Sequence, residues 1–226
     1  MQPHEERSKV ALPGIAPYRV PQHEELPENR VRWRPDPQRS VLLIHDMERH
    51  FVNAFTPDRE PLNEVVPNIQ MLRAQADASG VPVVYCAQPG GQTPEQRGLQ
   101  LEWWGPGVSD PAQEAIIDEL APRSRDVLLT KWRYSAFQRT ELREMLREWG
   151  RDQLIITGIY AHIGCLMTAA EAFQQEVRAF LAADAVADFS LEEHRMALSY
   201  AAKRCAVVES TSSLVTALAA DRPVPA

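Results

Sequence analysis

Several absences narrow the reading of this sequence. No run of about 18 apolar residues occurs, so no membrane-spanning helix is expected. The polar opening MQPHEERSKV has no apolar segment of the kind a secretory leader needs. A basic stripe is missing too. With 24 Lys and Arg against 31 Asp and Glu, the net charge is −7, which argues against a nucleic-acid surface. Cysteine is scarce: Cys86, Cys165 and Cys205 have no metal-type spacing, and an odd number without a leader reads as reduced thiols in the cytoplasm. The histidines (His4, His23, His45, His50, His162 and His194) form neither H-x-x-x-H nor H-E-x-x-H, so no metal is expected. The dinucleotide fingerprint, the P-loop and the G-x-S-x-G elbow are likewise absent, and no cofactor is expected.

What is present is a chain of 226 residues with 44% apolar content, long enough for one substantial domain. Its first part, 1–39, is proline-rich but carries Tyr18 and Trp33. It reads as an N-terminal arm packed on a domain spanning 40–226. From Ser40 the pattern changes to short apolar runs of the kind found in strands buried on both faces: SVLLIHDM, VPVVYCAQ, DVLLTK, QLIITG, VRAFLAAD and CAVVES. Helical spacing separates them over 62–78, 112–120, 141–149, 165–174 and 191–204. Alternating strands and helices give right-handed crossovers and a parallel sheet covered on both sides, an α/β fold. Ligands of such sheets bind beyond the C-terminal strand ends. The candidates are therefore His45, Asp46, Gln88, Lys131 and the segment from Tyr160 to Gly164.

Each candidate has two readings. Asp46 is either a helix cap or turn residue, or a carboxyl in a dry cleft whose raised pKa suits a general acid. Lys131 is either a snorkelling surface residue or part of a pocket walled by the Trp132, Tyr134 and Phe137 aromatics. Arg97 is either solvated or a fork for a carboxylate, in a glycine- and proline-rich loop that Trp103 and Trp104 can close. Cys165, in GIYAHIGC at a helix start, is either an activated thiolate or a packing residue.

Five motifs in order, VLLIHDM, AQPGGQTPEQRGL with WWGPG, LLTKWRYSAF, LIITGIYAHIGC and LAADAVADFSLEEHRMAL, together resemble the isochorismatase family, over roughly residues 12 to 210. The resemblance implies a three-layer αβα sandwich with a six-stranded parallel sheet, Rossmann-like. It also implies cleavage of an enolpyruvyl ether on a small dianionic chorismate-derived substrate. The related cysteine hydrolases use an Asp, a Lys and a Cys; the first two fall on Asp46 and Lys131, the expected catalytic pair. The nucleophile position falls on Gly164 and not on Cys165, so no covalent intermediate is implied. Gln88, Arg97 and Tyr160 match positions that hold the substrate's enolpyruvyl carboxylate. Trp104 and Tyr134 match pocket walls, with Phe51 nearby and Gly164 leaving room. One departure stands out: HDME replaces the usual HDMQ, and Glu48 is expected to face away from the site.

The implied reaction converts isochorismate to pyruvate and 2,3-dihydro-2,3-dihydroxybenzoate. The alternatives are hydrolysis of 2-amino-2-deoxyisochorismate in phenazine synthesis, amide hydrolysis by Cys165, and a non-catalytic scaffold. A homodimer is expected from the family. Since the sequence runs to Ala226 without a carrier domain, a role in siderophore assembly calls for a partner in trans.

Overall fold

The computed structural model describes residues 12–219; the first eleven residues of the expected arm, His4 among them, and residues 220–226 lie outside the described residues. The sheet is built from β1 (Ser40–His45), β2 (Val83–Ala87), β3 (Val127–Thr130), β4 (Gln153–Ile159), β5 (Arg178–Ala187) and β6 (Ala206–Glu209). All five pairings are parallel, in the order β3-β2-β1-β4-β5-β6.

The two-residue period of β1 explains the layers. Val41 and Leu43 face one core, with Leu142 and Leu146 of α6 (Leu142–Glu148), Leu166 and Ala169 of α7 (Leu166–Gln174), and Ala197 and Ala201 of α8 (Leu191–Arg204). Leu42 and Ile44 face the other core, with Val65, Ile69 and Leu72 of α2 (Leu62–Ala78), and Leu214 and Leu218 of α9 (Thr211–Ala219). All six β1 side chains are buried, which is why the strand is apolar throughout instead of alternating. The result is a three-layer αβα sandwich. Among the described residues no helix is long and apolar enough to cross a membrane.

Residues 12–39 follow the surface and enter both cores. Ile15, bridged to Phe55, and Val20 are buried in the core that holds α2 and α9, and Leu26 packs against the other. Asn29 exchanges hydrogen bonds with the Val208 main chain at 2.8 and 2.9 Å.

The order 3-2-1-4-5-6 reverses direction between β1 and β4, and the crevice of such a sheet opens at that switch point. Asp46 follows β1 there and Tyr160 follows β4. Short helices border the crevice: α1 (Arg49–Val52), α3 (Pro94–Arg97) and α4 (Leu99–Trp104); α5 (Pro111–Glu114) packs against α1.

Two elements differ from the sequence reading. The helix expected over 112–120 breaks after Glu114, because Ala115 to Ile117 pairs with the chain after β1: Arg49 N–H donates to Ala115 O at 2.9 Å and Ile117 N–H to Met47 O at 3.0 Å. The helix expected from residue 165 begins earlier, as one π-helical turn over Ala161–Cys165, with Cys165 N–H on Tyr160 O at 3.3 Å.

Candidate active site

The nine expected site residues, Asp46, Phe51, Gln88, Arg97, Trp104, Lys131, Tyr134, Tyr160 and Gly164, all border one cavity of about 270 Å³. Its deepest polar feature is an ion pair. Lys131, 1% exposed at the end of β3, places Nζ 2.7 Å from Asp46 Oδ2. Asp46 Oδ1 is buried and has no hydrogen-bond partner. The residue sits at φ +49°, a left-handed conformation that Asp tolerates better than most side chains, and its N–H is anchored on Cys86 O at 3.0 Å.

Burial alone would raise the Asp46 carboxyl, but the Lys131 ammonium and His45 outweigh it and hold it below the ordinary value. Lys131 is held above its ordinary value, because Asp46 overcomes the cost of burial. Without a bound anion the pair is therefore charged on both members.

A donor clamp lies beside it. Arg97 Nη1 donates to Gln88 Oε1 at 2.8 Å and Nε to Gly105 O at 3.0 Å. Nη2 has no partner among the described residues, and Gln88, holding Arg97 through its oxygen, keeps its amide N–H groups as donors. The clamp is seated from outside by Gly107, at φ +76°, where a Cβ would meet the Arg97 guanidinium at 2.9 Å. The α3 turn that carries Arg97 is fixed by a capping box between Thr93 and Gln96.

The walls are aromatic. Trp104 Nε1 donates to Tyr134 Oη at 2.6 Å, tying the α4 roof to the β3 loop. Tyr160 packs on Phe189 at 4.3 Å between ring centroids, and its hydroxyl donates to Phe51 O at 2.9 Å. Of the aromatics read as a wall after Lys131, only Tyr134 borders the cavity. Phe137 is buried in the core on the α6–α8 side, and Trp132 carries Arg139 over its ring at 6.0 Å. Of the two adjacent tryptophans only Trp104 turns inward; Trp103 is 70% exposed.

Gly164 answers the question of the nucleophile. A Cβ built there would overlap the imidazole of His45, which lies fully buried with Nδ1 3.2 Å from Ile159 O and Nε2 3.3 Å from Thr168 Oγ1. A side chain, thiol or otherwise, has no space at 164 while His45 keeps its place. Cys165 is fully buried, does not border the cavity, and has its thiol pushed well up by burial, the opposite of an activated nucleophile. Glu48 does not border the cavity either; it is wholly buried.

Two groups bring His, Asp and Cys or Glu together within 4.8 Å: His45, Asp46 and Cys86, and His162, Asp188 and Glu193. Several of these atoms already have partners. Nδ1 of His45 donates to Ile159 O, Nδ1 of His162 donates to Asp188 Oδ1 at 2.6 Å, and Asp46 already holds an ammonium.

The cavity also contains residues that the sequence did not single out as pocket residues: His50, Asn53, Gln100 and Phe189; Ile163, which borders it too, lies in the expected Tyr160 to Gly164 segment. His50 makes no hydrogen bond within the described residues, and burial and Arg97 keep it below its ordinary value, hence neutral. Its neighbour Phe51, already a candidate, was the only available signal for it.

The comparisons with known proteins agree on kinship. Residues 40–213 match the family model of the isochorismatase domain. Isochorismatase of Bacillus subtilis is 58% identical over 210 residues, covering 92% of this chain and 67% of the relative. Phenazine biosynthesis protein PhzD of Pseudomonas fluorescens is 48% identical over 207 residues, covering 91% and 99%. Enterobactin synthase component B of Escherichia coli is 44% identical over 218 residues, covering 96% and 75%. Among solved structures, a cysteine hydrolase from Pseudomonas syringae superposes with a TM-score of 0.76 at 24% identity, covering 83% of this chain and 96% of that one, a likeness of fold alone.

Proposed function

The chain belongs to the isochorismatase family of hydrolases, and from that premise we propose that it cleaves the enolpyruvyl ether of isochorismate to pyruvate and 2,3-dihydro-2,3-dihydroxybenzoate. The observation that carries this reading is a buried Asp with one oxygen on Lys131 and the other unpartnered, in an aromatic cavity with an anion clamp and no nucleophile at 164.

In this reaction Gln88 and Arg97 take the enolpyruvyl carboxylate, the bidentate recognition a guanidinium favours. The ring lies against Trp104, Tyr134 and Phe189. Asp46 delivers a proton to the terminal vinyl carbon, giving an oxocarbenium ion. Water adds to that cation and returns a proton to the Asp46 carboxylate. The hemiketal then collapses, breaking the C–O bond to pyruvate and leaving the ring hydroxyl.

Asp46 must be protonated for the first step, although Lys131 keeps it ionised in the unliganded site. The arriving anion reverses the balance. It draws on the Lys131 charge, displaces water from the cavity and adds negative charge beside the carboxyl, and each of these raises a carboxyl pKa. Lys131 thereby binds and orients, and Asp46 is the general acid.

A lactate-dehydrogenase-coupled assay of pyruvate release tests the reading. The wild type releases pyruvate from isochorismate, and Asp46→Ala releases essentially none while still binding substrate. Near-wild-type turnover by Asp46→Ala removes the general-acid role. A second reading, with 2-amino-2-deoxyisochorismate as substrate, is favoured by the match to PhzD along 99% of that protein. Side-by-side rates on the two substrates decide between them. The same kinship underlies the expectation of a cytoplasmic homodimer.

A further inference from the structure

Glu48 lies two residues beyond Asp46 and is 0% exposed. Its position is fixed by the antiparallel pairing of Met47 to Arg49 with Ala115 to Ile117. Oε1 accepts the Gln88 main-chain N–H at 2.6 Å, and Oε2 is buried without any partner. No cation serves it: the ammonium of Lys131 sits on Asp46, and no basic group forms an ion pair with Glu48 among the described residues. A carboxylate in that setting would be an uncompensated buried charge, whereas a protonated acid leaves a much cheaper unmet polar group.

We propose that Glu48 is a positioning residue for the reaction proposed above, acting as a neutral acid that fixes the Gln88 main chain beneath the Gln88–Arg97 clamp and adds no charge to a site built for an anion. The inference rests on that reading for what the clamp binds.

The titratable groups in electrostatic reach are few. Asp46 stands at the end of β1, Cys86 in β2, Lys131 at the end of β3 and Tyr160 at the end of β4. The 115–117 segment paired with Glu48 contributes no charged side chain. Burial and Asp46 push the Glu48 carboxyl well up, against the opposing pull of the Gln88 and Glu48 main-chain N–H groups and of Lys131. The proton count follows. With Glu48 neutral, Asp46 and Lys131 cancel, and the clamp meets the substrate with the Arg97 charge intact. With Glu48 ionised, the floor beneath the clamp carries a net negative charge.

Two measurements test this. The first needs no turnover: the infrared difference spectrum between wild type and Glu48→Gln, from about pH 6 to about pH 8. It is expected to show loss of a protonated-acid carbonyl stretch; loss of a carboxylate pair of bands instead overturns the neutral acid. The second is kinetic. Glu48→Ala raises KM about tenfold or more with kcat within about threefold, and Glu48→Gln, whose amide oxygen can accept the same N–H, rescues KM. Glu48→Gln also leaves the pH dependence of kcat/KM superimposable on wild type, since one neutral group replaces another. A wild-type KM in Glu48→Ala, a Glu48→Gln as impaired as Glu48→Ala, or a displaced pH profile in Glu48→Gln each overturns the proposal. Should Glu48→Ala fail to fold, the infrared spectrum and the Glu48→Gln profile still decide. A wild type that releases no pyruvate from either substrate overturns the reaction itself, while the infrared result continues to report on the acid.

Discussion

Two buried aspartates stand at the C-terminal ends of interior strands, Asp46 after β1 and Asp188 after β5, and are treated in opposite ways. Asp188, just beyond β5, has every oxygen in use: Oδ2 accepts from His162 N–H at 2.6 Å, and Oδ1 from His162 Nδ1 at 2.6 Å and Phe189 N–H at 2.9 Å. Its own N–H donates to Tyr18 Oη at 2.7 Å, Tyr18 lies 3.2 Å from His194 Nδ1, and His194 Nε2 reaches Ala183 O at 2.9 Å. Asp46 turns one oxygen to Lys131 Nζ at 2.7 Å, with His45 Nδ1 at 3.5 Å, and leaves the other unpartnered. A saturated carboxylate ties segments together and has nothing left to offer. An unsaturated one is costly to the fold, and where it borders a cavity, as Asp46 does and Glu48 does not, a ligand can complete it. The difference separates a carboxylate that ties segments together from one left open to the cavity.

Substitutions at the two residues should therefore split activity from stability. The largest effect is expected for Asp46→Asn, which should cut turnover by about a thousandfold or more while the protein still melts cooperatively. Acid stability comes next. Burial depresses His194 to about 4, below its ordinary 6.5. The unfolded chain therefore takes up this proton first. The contribution is full above about pH 6.5 and is lost as the pH falls toward about 4, amounting to about 3 kcal/mol. Urea titrations of wild type and His194→Gln across that range should converge at low pH; parallel curves would remove His194 from the network.

Asp188→Asn should cost about 2 kcal/mol in the same titration at neutral pH, with kcat of the folded fraction within about fivefold of wild type. A thousandfold loss of kcat there would end the distinction between the two aspartates. Gly164→Ala presses on the His45 ring and should cost about 1–3 kcal/mol. The smallest effect is expected at Cys165→Ala, about 1 kcal/mol of stability with turnover preserved and resistant to thiol reagents.

The strands were legible because a sheet buried on both faces makes each one a plain apolar run, as in SVLLIH. That the nine expected residues would meet around one cavity was legible because several of them close strands, and strand ends are where such sheets bind. What escaped depended on contacts remote in sequence. Nothing in PAQEAIIDEL shows that its centre pairs with Met47 to Arg49, so neither the broken helix nor the burial of Glu48 could be read. Trp103 and Trp104 are equivalent in composition and differ by about 100° around a helix, so only the placement of α4 tells wall from surface. His50 was hidden because its direction is set by a single turn of helix after the Asp46 bend.

The tight seat of His45 beneath Gly164 also bears on what a side chain at 164 would meet. A cysteine at 164 would bring its Cβ against the same ring, so the ring has to shift to admit it. Losing that ring gives up its contacts to Ile159 O and Thr168 Oγ1, in a core of strands with little slack. In this chain a cysteine at 164 would therefore weaken the packing around His45 before it could offer a thiol to the cavity. The glycine and the imidazole thus form one unit, and neither can change without the other giving way.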